Sequence, residues 1–364
     1  MTSSTTSLVR RLPPLPTISD ILRMYGIRAK KSLSQNFIMD PRILKKFAKC
    51  AGDLTEKYVI EVGPGPGGIT RALIDAGAKE VHVIEKDSRF LPSLNLLQEA
   101  AGHNKLHINI GDCLQYNPEE TFSKSLVTDW SSGDPPNLVL VGNLPFNVAT
   151  PLLLRLLQAM YNRSNIYSYG RIPAVISFQH EVAQRMAAPP GDPERSRLST
   201  ITQNWAEVDY IYNLPGGAFV PRPDVEVGIV KLTPHREPYI KDLSFTFINK
   251  VMTAIFHGKQ KQLKNSLAHS LFPKQKQAMS VRLLDMAKIH AEEKAINLTM
   301  DDIGSICYAY KSLCEENEQI DARNDLQNYM GRALRKINKS DEEKREISSS
   351  YSMSKSNLQF DIRL

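Results

Sequence analysis

Cysteine pairs, long apolar runs and early acidic residues are scarce in this sequence of 364 residues. Its 4 cysteines include no C-x-x-C pair, which disfavours a zinc site, and their spacing does not suggest a disulfide framework. No apolar run approaches the ~18–20 residues that a membrane helix needs, and the segment 151–160 is interrupted by Arg155. We therefore expect no bound metal and no membrane partner.

The amino terminus has no acid before Asp20, while it carries Arg10, Arg11 and several serines and threonines. A Ser-rich, Arg-bearing and acid-poor start is typical of a mitochondrial transit peptide, and a disordered tail can have the same composition. We therefore assign residues 1–16 to a targeting or flexible segment.

The balance of charge is basic, with 46 Lys and Arg against 39 Asp and Glu and a formal net charge of +7. Such a balance suits a polyanionic partner such as nucleic acid, although many basic proteins bind none. Between Arg10 and Lys31, six Lys or Arg accompany a single acid. Positive charge is therefore concentrated near the start of the chain.

Short apolar runs alternate with helical patterns over much of the chain. Continuous apolar strands separated by helices are typical of an α/β fold with a parallel sheet buried on both faces. We predict strands at 58–63, 80–87 and 105–112, a fourth strand that runs into a loop over 136–146, and a strand followed by a helix over 173–186. Further helices are predicted at 68–77, 89–100 and 150–161.

These patterns divide the chain into regions. We predict an α/β domain over 17–234, opened by a short basic helix from about Thr17 to Leu33. After Pro234 helical spacing predominates, which predicts a small helical domain over 235–330. Residues 331–364 are polar and charge-rich, so we expect a disordered tail there.

A glycine turn follows the first strand of this domain. Gly63, Gly65 and Gly68 satisfy G-x-G-x-x-G, a weak signal that also suits an NAD-dependent oxidoreductase. Pro64 and Pro66 stand between them without backbone N–H groups, whereas a pyrophosphate site depends on such donors. The adenosine of S-adenosylmethionine has no phosphate and needs them less.

Acidic residues end the next two strands. Glu85 is placed to accept both ribose hydroxyls of a nucleoside, and Asp112 to accept a hydrogen bond from the adenine amine of the cofactor. An acid at a single strand end is more often an exposed residue that caps a strand or a helix than a ligand contact. Three successive strand ends with suitable residues, at the edge where open α/β sheets bind ligands, favour a cofactor site.

The tetrapeptide N-L-P-F, residues 143–146, follows the fourth strand. Methylation of adenine N6 requires its delocalised lone pair to be drawn back onto nitrogen. The side-chain oxygen of Asn143 and the carbonyl of Leu144 can accept the two N6 hydrogens. Pro145 stiffens the loop, and Phe146 offers a ring face on which an extruded base can stack. Catalysis would then depend on positioning and polarisation.

Six motifs in order resemble the ribosomal-RNA adenine N6,N6-dimethyltransferase family, and within it the mitochondrial branch. The resemblance covers roughly residues 17–330. The motifs are LSQNFIMD (33–40), EVGPGPGGIT (61–70), VIEKD (83–87), GDCL (111–114), GNLPF (142–146) and AFVPRPDVEVG (218–228).

The resemblance implies a Rossmann-like S-adenosylmethionine-dependent methyltransferase domain followed by the helical domain. It implies that Asn143 and Phe146 hold the target adenine, with Phe219 as the opposing stacking face. The implied contacts to S-adenosylmethionine are Gln35, Asn36, Ile38, Gly63, Gly65, Glu85, Lys86, Asp112, Cys113 and Asn143.

The resemblance also implies the substrate and the compartment. The substrate would be two adjacent adenines in the 3′-terminal hairpin loop of mitochondrial small-subunit rRNA, each dimethylated at N6, in the mitochondrial matrix. Loop bases are easily splayed out, which suits this kind of recognition. The assembling small ribosomal subunit, and also the mitochondrial transcription machinery, are implied partners.

Two features depart from the family pattern. Phe146 stands where many relatives have Tyr, which keeps the ring and loses a hydroxyl. Lysines stand where the helical domain commonly has paired Arg, and they lack the bidentate fork of arginine. The residues expected to contact RNA, any of which could instead belong to solvated helix faces, are Arg28, Lys30, Lys31, Lys259, Lys261 and Lys264.

Three other functions remain open at this point. A non-enzymatic transcription or ribosome-assembly factor could keep the methyltransferase fold, although intact Asn36, Glu85, Asp112 and Asn143 favour retained chemistry. An NAD-dependent oxidoreductase is disfavoured by the two prolines of the glycine turn. A nuclear or cytoplasmic relative is disfavoured by the acid-poor amino terminus.

Overall fold

A seven-stranded sheet with helices on both faces organises the chain in the computed structural model, which describes residues 12–29, 35–113, 115–272 and 276–316. The predicted tail, the first part of the targeting segment, Lys30 and Lys31 lie outside these residues. The strands are β1 (Phe37–Ile38), β2 (Tyr58–Val62), β3 (Glu80–Glu85), β4 (Leu106–Ile110), β5 (Leu138–Gly142), β6 (Ala174–Gln179), β7 (Ala206–Leu214), β8 (Phe219–Val220) and β9 (Val227–Pro234).

Helices and strands alternate from the start of the described chain to β4, and after β9 the helices follow one another. They are α1 (Ile18–Met24), α2 (Pro41–Cys50), α3 (Gly68–Asp75), α4 (Leu91–Ala101), α5 (Phe146–Asn162), α6 (His180–Ala187), α7 (Arg197–Trp205), α8 (Phe245–Ile255), α9 (Leu263–Leu271), α10 (Lys276–Met286) and α11 (Met300–Glu316).

The sheet has the order β4-β3-β2-β5-β6-β9-β7. Its first five strands are parallel, and β9 pairs antiparallel with both β6 and β7. Chain order reverses between β2 and β5, because β3 lies on one side of β2 and β5 on the other. The crevice at the carboxyl ends of strands at such a reversal is the usual ligand site of an open α/β sheet. This is the predicted α/β fold.

Successive strand residues enter two hydrophobic clusters on opposite faces of the sheet. Val59 of β2 packs with α2, α3 and α4, while the neighbouring Ile60 packs with α5 and the later helices. Both side chains are buried, at 0% and 1% exposure. Burial on both faces explains why these strands read as short, largely apolar runs.

The predicted domain boundary coincides with the end of β9 at Pro234, after which the described elements are helical. One cluster of buried side chains nevertheless continues from the sheet into these helices, with Leu140, Leu157, Ile248 and Ile306 among its members. The division into two domains therefore stays a prediction. Within the described residues, no helix has the length and apolar character needed to cross a membrane.

Two predicted helices have different bounds in the structure. The helix expected from Thr17 is capped there by Thr17 and Asp20, but it ends at Met24, because Gly26 takes a φ of +60°. The helix expected at 150–161 begins earlier, at Phe146, and contains Pro151. Proline often occupies the first position of a helix, so Pro151 suggested a start near residue 150. The sequence therefore predicted a shorter helix than the structure contains.

Candidate active site

One pocket lies where β2 and β5 end, at the reversal of strand order. It collects residues from the glycine turn, the 143–146 loop and the short β1–β8 pair. Its lining comprises Gln35, Asn36, Phe37, Ile38, Leu44, Gly63, Pro64, Gly65, Pro66, Gly68, Ile69, Glu85, Phe90, Asn143, Leu144, Pro145, Phe146, Phe219 and Val227. Most of the site residues predicted from the sequence are therefore brought together.

The glycine turn packs directly against the 143–146 loop. Gly63 has a φ of +67° and Gly65 a φ of +55°, a region that side chains disfavour. A Cβ atom on Gly63 would lie 3.2 Å from Cδ2 of Leu144. Glycine is thus required both by the backbone conformation and by the close approach of the two loops.

The carboxylate of Glu85 is held by backbone donors at the end of β3. It accepts hydrogen bonds from the N–H of Gly65 at 3.0 Å and of Asp87 at 2.7 Å. Burial raises the pKa of Glu85, an effect that these hydrogen bonds oppose. Each oxygen keeps a lone pair beyond its backbone bond, so two hydroxyls of a ribose can be accepted.

Gln35 is connected to the same strand end through Asp87. Its amide donates to Oδ2 of Asp87 at 3.1 Å, and Arg89 bonds both carboxylate oxygens of that residue. Despite burial, hydrogen bonds from Arg89 and Gln35 lower the pKa of Asp87 to about 2. Asp87 therefore stays charged and anchors the segment that contains Gln35. From the sequence, Asp87 was only part of the VIEKD motif, with no predicted role of its own.

The orientation of the Asn143 amide follows from its two neighbours. Its Nδ2 donates to the carbonyl oxygen of Asn36 at 3.4 Å, and its Oδ1 accepts from Oγ of Ser177 at 2.8 Å. Because a carbonyl can only accept, the nitrogen must face Asn36 and the oxygen must face Ser177. One lone pair of Oδ1 remains for a further donor. Ser177 was not predicted from the sequence.

Two aromatic rings complete the pocket. Phe146 is half-buried at the start of α5, and Pro145 precedes it in the N-cap position. Phe219 is buried and belongs to β8, which pairs with β1 so that Ile38 faces Phe219 in register. The pairing brings the predicted opposing ring to the pocket although 73 residues separate it from Phe146 in sequence.

Three predicted cofactor contacts, Lys86, Asp112 and Cys113, are not part of this lining. Asp112 follows β4, one strand beyond Glu85, and its Oδ2 lies 3.0 Å from Nζ of Lys86. Burial, and secondarily Asp112, raises the pKa of the Cys113 thiol to about 11. Asp112 and Lys86 thus form an ion pair at the adjoining strand end, where their cofactor roles remain predictions.

The described residues predicted to contact RNA differ in their surroundings. Arg28 and Lys261 are exposed. Nζ of Lys259 donates to the carbonyl of Pro193 at 2.8 Å, and Nζ of Lys264 lies 3.3 Å from a carboxylate oxygen of Glu292. Lys259 and Lys264 therefore already have partners within the chain.

The pocket fits S-adenosylmethionine, the cofactor expected from the sequence. Glu85 offers oriented acceptors for a ribose, and apolar side chains such as Leu44, Ile69 and Phe90 line the same pocket. Pro64 and Pro66 reduce the number of backbone donors that a phosphate would need. The donor set thus suits a nucleoside better than a dinucleotide.

Comparisons with known proteins agree with this geometry. The chain is 42% identical over 335 residues to the protein named mitochondrial dimethyladenosine transferase 1 of Macaca fascicularis, covering 92% of this chain and 96% of that protein. It is 43% identical over 315 residues to the protein of that name in Homo sapiens, covering 86% and 90% of the two chains.

Solved structures show the same fold at lower identity. A dimethyladenosine transferase from Plasmodium falciparum has a TM-score of 0.58 at 24% identity, covering 75% of this chain and 96% of that one. The 23S rRNA methyltransferase ErmE has a TM-score of 0.53 at 22% identity, covering 76% and 99%. The family model described as ribosomal RNA adenine dimethylase matches residues 26–305. The chain therefore belongs to the ribosomal RNA adenine dimethylase family, whose methyl donor is S-adenosylmethionine.

Proposed function

We propose that this protein dimethylates N6 of two adjacent adenines in the 3′-terminal hairpin loop of mitochondrial small-subunit rRNA, in the matrix, and thereby supports assembly of the small subunit. The observation that carries the proposal is the single orientation of the Asn143 amide, with Oδ1 directed to Ser177 and Nδ2 to Asn36. This amide lies in one pocket with Glu85, Phe146 and Phe219.

The reaction requires that the amino group of the base become a better nucleophile. Bound S-adenosylmethionine supplies an electrophilic methyl group. In the first transfer, Asn143 Oδ1 and the Leu144 carbonyl would each accept one N6 hydrogen, and in the second transfer one of them would accept the single hydrogen that remains. These hydrogen bonds concentrate the nitrogen lone pair for attack. In each transfer the methyl–sulfur bond would break as the methyl–nitrogen bond forms, and the displaced N6 proton would pass to solvent. Ser177 holds Oδ1 in place before the base arrives, so little reorganisation is needed.

The aromatic side chains hold the base. Phe146 and Phe219 offer ring faces to an adenine that has left its stack, and such contacts contribute ~1–3 kcal/mol per base. A hairpin loop lowers the cost of extruding the base, because its bases are incompletely paired and stacked.

The cofactor half of the pocket would be formed by Glu85 and the glycine turn. Glu85 accepts the ribose hydroxyls, while Gly63 and Gly65 allow the close approach of the nucleoside to the backbone. Lys86, Asp112 and Cys113 would extend this half toward the adenine of the cofactor, from the adjoining strand end.

The mitochondrial assignment rests on the relatives, which are named as mitochondrial proteins. The basic composition supports rRNA as the partner, with Arg28, Lys259, Lys261 and Lys264 as proposed contacts among the described residues. Lys30 and Lys31 extend that proposal beyond the described residues.

The test is methyl transfer from labelled S-adenosylmethionine to the small-subunit 3′ hairpin, followed by nuclease digestion and nucleoside mass analysis. We expect dimethyladenosine at two adjacent loop positions. Asn143→Ala should abolish transfer while S-adenosylmethionine binding, measured by calorimetry, is largely kept. The matched control Asn162→Ala changes an exposed asparagine, the last residue of α5, and should leave transfer unchanged.

The outcomes separate this proposal from a non-enzymatic assembly or transcription factor. Cofactor binding without transfer to either the hairpin or an assembling small subunit would favour that alternative. Full turnover by Asn143→Ala would remove the amide from the mechanism.

A further inference from the structure

A cluster of two histidines and one glutamate lies at the end of the sheet away from the pocket. Glu80 begins β3, and His82 follows two residues later on the same face. His107 of β4 is the register partner of His82. Since a strand rises ~3.3 Å per residue, Glu80 lies roughly 16 Å from Glu85 and thus from the pocket. The cluster plays no part in the site already described.

The three side chains converge on one carboxylate oxygen. Nε2 of His82 lies 3.1 Å from Oε2 of Glu80, and Nε2 of His107 lies 3.2 Å from the same oxygen. A tetrahedral zinc ion with ligands at about 2.0–2.1 Å separates neighbouring donor atoms by about 3.3 Å. Two of the donor–donor distances that a tetrahedral zinc site requires are therefore already present.

The hydrogen bonds of this cluster are incomplete. Nδ1 of His82 is buried and has no hydrogen-bond partner among the described residues. Nε2 of His107 is also buried, and although it lies 3.2 Å from Oε2 of Glu80, the two atoms do not form a hydrogen bond.

The surroundings leave one side of the cluster open. The ring of Phe122 covers His82 at 4.5 Å between centroids. In contrast, the side chain of His107 is 38% exposed and that of Glu80 is 27% exposed, so solvent reaches them. Water can therefore occupy a fourth position.

We propose that Glu80, His82 and His107 form a zinc site, completed by one water molecule, that ties the edge strand β4 to β3. Two imidazoles and one carboxylate suit zinc better than magnesium or calcium, which prefer oxygen ligands alone. The histidine rings are nearly parallel, at 14°, so their lone pairs do not yet meet at one point. The more exposed His107 ring turns on binding to bring them together.

The test uses the full chain, freed of metal by chelation and titrated with Co²⁺ and then with Zn²⁺. We expect one Co²⁺ per chain with the visible absorption bands of a tetrahedral site, displaced by Zn²⁺. His107→Gln and Glu80→Gln should each weaken binding at least about tenfold. The control His103→Gln changes an exposed histidine in the turn before β4 and should bind like the unaltered chain.

A second measurement guards against misfolded variants. Zn²⁺ should raise the melting temperature of the unaltered chain and of His103→Gln, and not that of the two cluster variants. The proposal is overturned if the folded chain binds no stoichiometric Co²⁺ or if His107→Gln binds normally. It is also overturned by a thiolate charge-transfer band, which would place the metal on cysteine. No outcome depends on methyl transfer.

Discussion

Ser177 and Asn143 are joined across neighbouring strands by a hydrogen bond of 2.8 Å between Oγ and Oδ1. Ser177 lies inside β6 and is fully buried, while Asn143 directly follows β5. The serine hydroxyl thus reaches the amide from within the central sheet. Together with the Asn36 carbonyl, it leaves the amide a single orientation.

Ser177→Ala should therefore lower kcat between about twofold and tenfold, since a hydrogen bond of this kind contributes roughly 0.5–1.5 kcal/mol. Cofactor affinity and the KM for RNA should change little, because Ser177 does not line the pocket. Steady-state methylation and calorimetry measure the two effects. The control Ser280→Ala removes another buried serine hydroxyl, in α10, and should keep kcat. An equal loss of kcat in both variants would show that the loss comes from general destabilisation and not from the contact with Asn143.

Glu85→Ala should weaken S-adenosylmethionine binding by about tenfold to a hundredfold. Hydrogen bonds to a charged group contribute roughly 1.5–3 kcal/mol, and the N–H groups of Gly65 and Asp87 also lose their acceptor. Isothermal calorimetry provides the measurement, with Glu99→Ala as a control at an exposed position of α4. Unchanged affinity would exclude Glu85 from the cofactor site.

Phe146→Leu should lower kcat/KM for RNA between about fivefold and a hundredfold while cofactor affinity is kept. Leucine retains apolar bulk at the start of α5 and loses the ring face, and stacking of a base contributes ~1–3 kcal/mol. Phe146→Tyr is the matched control, because it keeps the ring, and it should remain active. A leucine variant as active as the tyrosine variant would mean that the base does not stack there.

Glu61 should make stability depend on pH. Its side chain is buried in β2, and burial, with the nearby Glu85 as a further cause, raises its pKa to about 8 from 4.5. Between these values the folded chain keeps a proton that the unfolded chain has released. The free energy of unfolding due to Glu61 therefore falls as pH rises across this window.

Glu61→Gln removes this titration, so the variant should gain stability relative to the unaltered chain as pH rises from about 4.5 to 8. Urea denaturation at several pH values in that window, followed by circular dichroism, measures the difference. Parallel curves for the two proteins would show that Glu61 does not titrate in this way.

The glycine turn and the strand ends could be predicted from sequence because their signals are local. Gly63, Glu85 and Asn143 each stand directly at the end of an apolar run, and parallel strands bring such ends to one edge. Phe219 was placed by family resemblance. The β1–β8 pair that brings it to the pocket has two residues in each strand, too short to give a periodic pattern.

Contacts that depend on register could not be predicted in this way. Ser177 is one polar residue inside an apolar strand, and its neighbour across the sheet is known only once β5 and β6 are paired. The same holds for His82 and His107, which lie 25 residues apart in sequence and become partners only in the register of β3 and β4. A shift of the strand register by one residue would turn either side chain to the other face of the sheet.

The β1–β8 pair has a consequence for how two ligands in the pocket affect each other's binding affinity. Phe37 and Ile38 line the pocket beside the glycine turn, and their register partners are Val220 and Phe219. A shift of one short strand must move the other, because they are hydrogen-bonded along the backbone. If a ligand beside the glycine turn shifts β1, it changes the affinity for a second ligand beside Phe219, and by reciprocity the second ligand changes the affinity for the first by the same factor. Two ligands would thus be thermodynamically coupled through four residues of backbone.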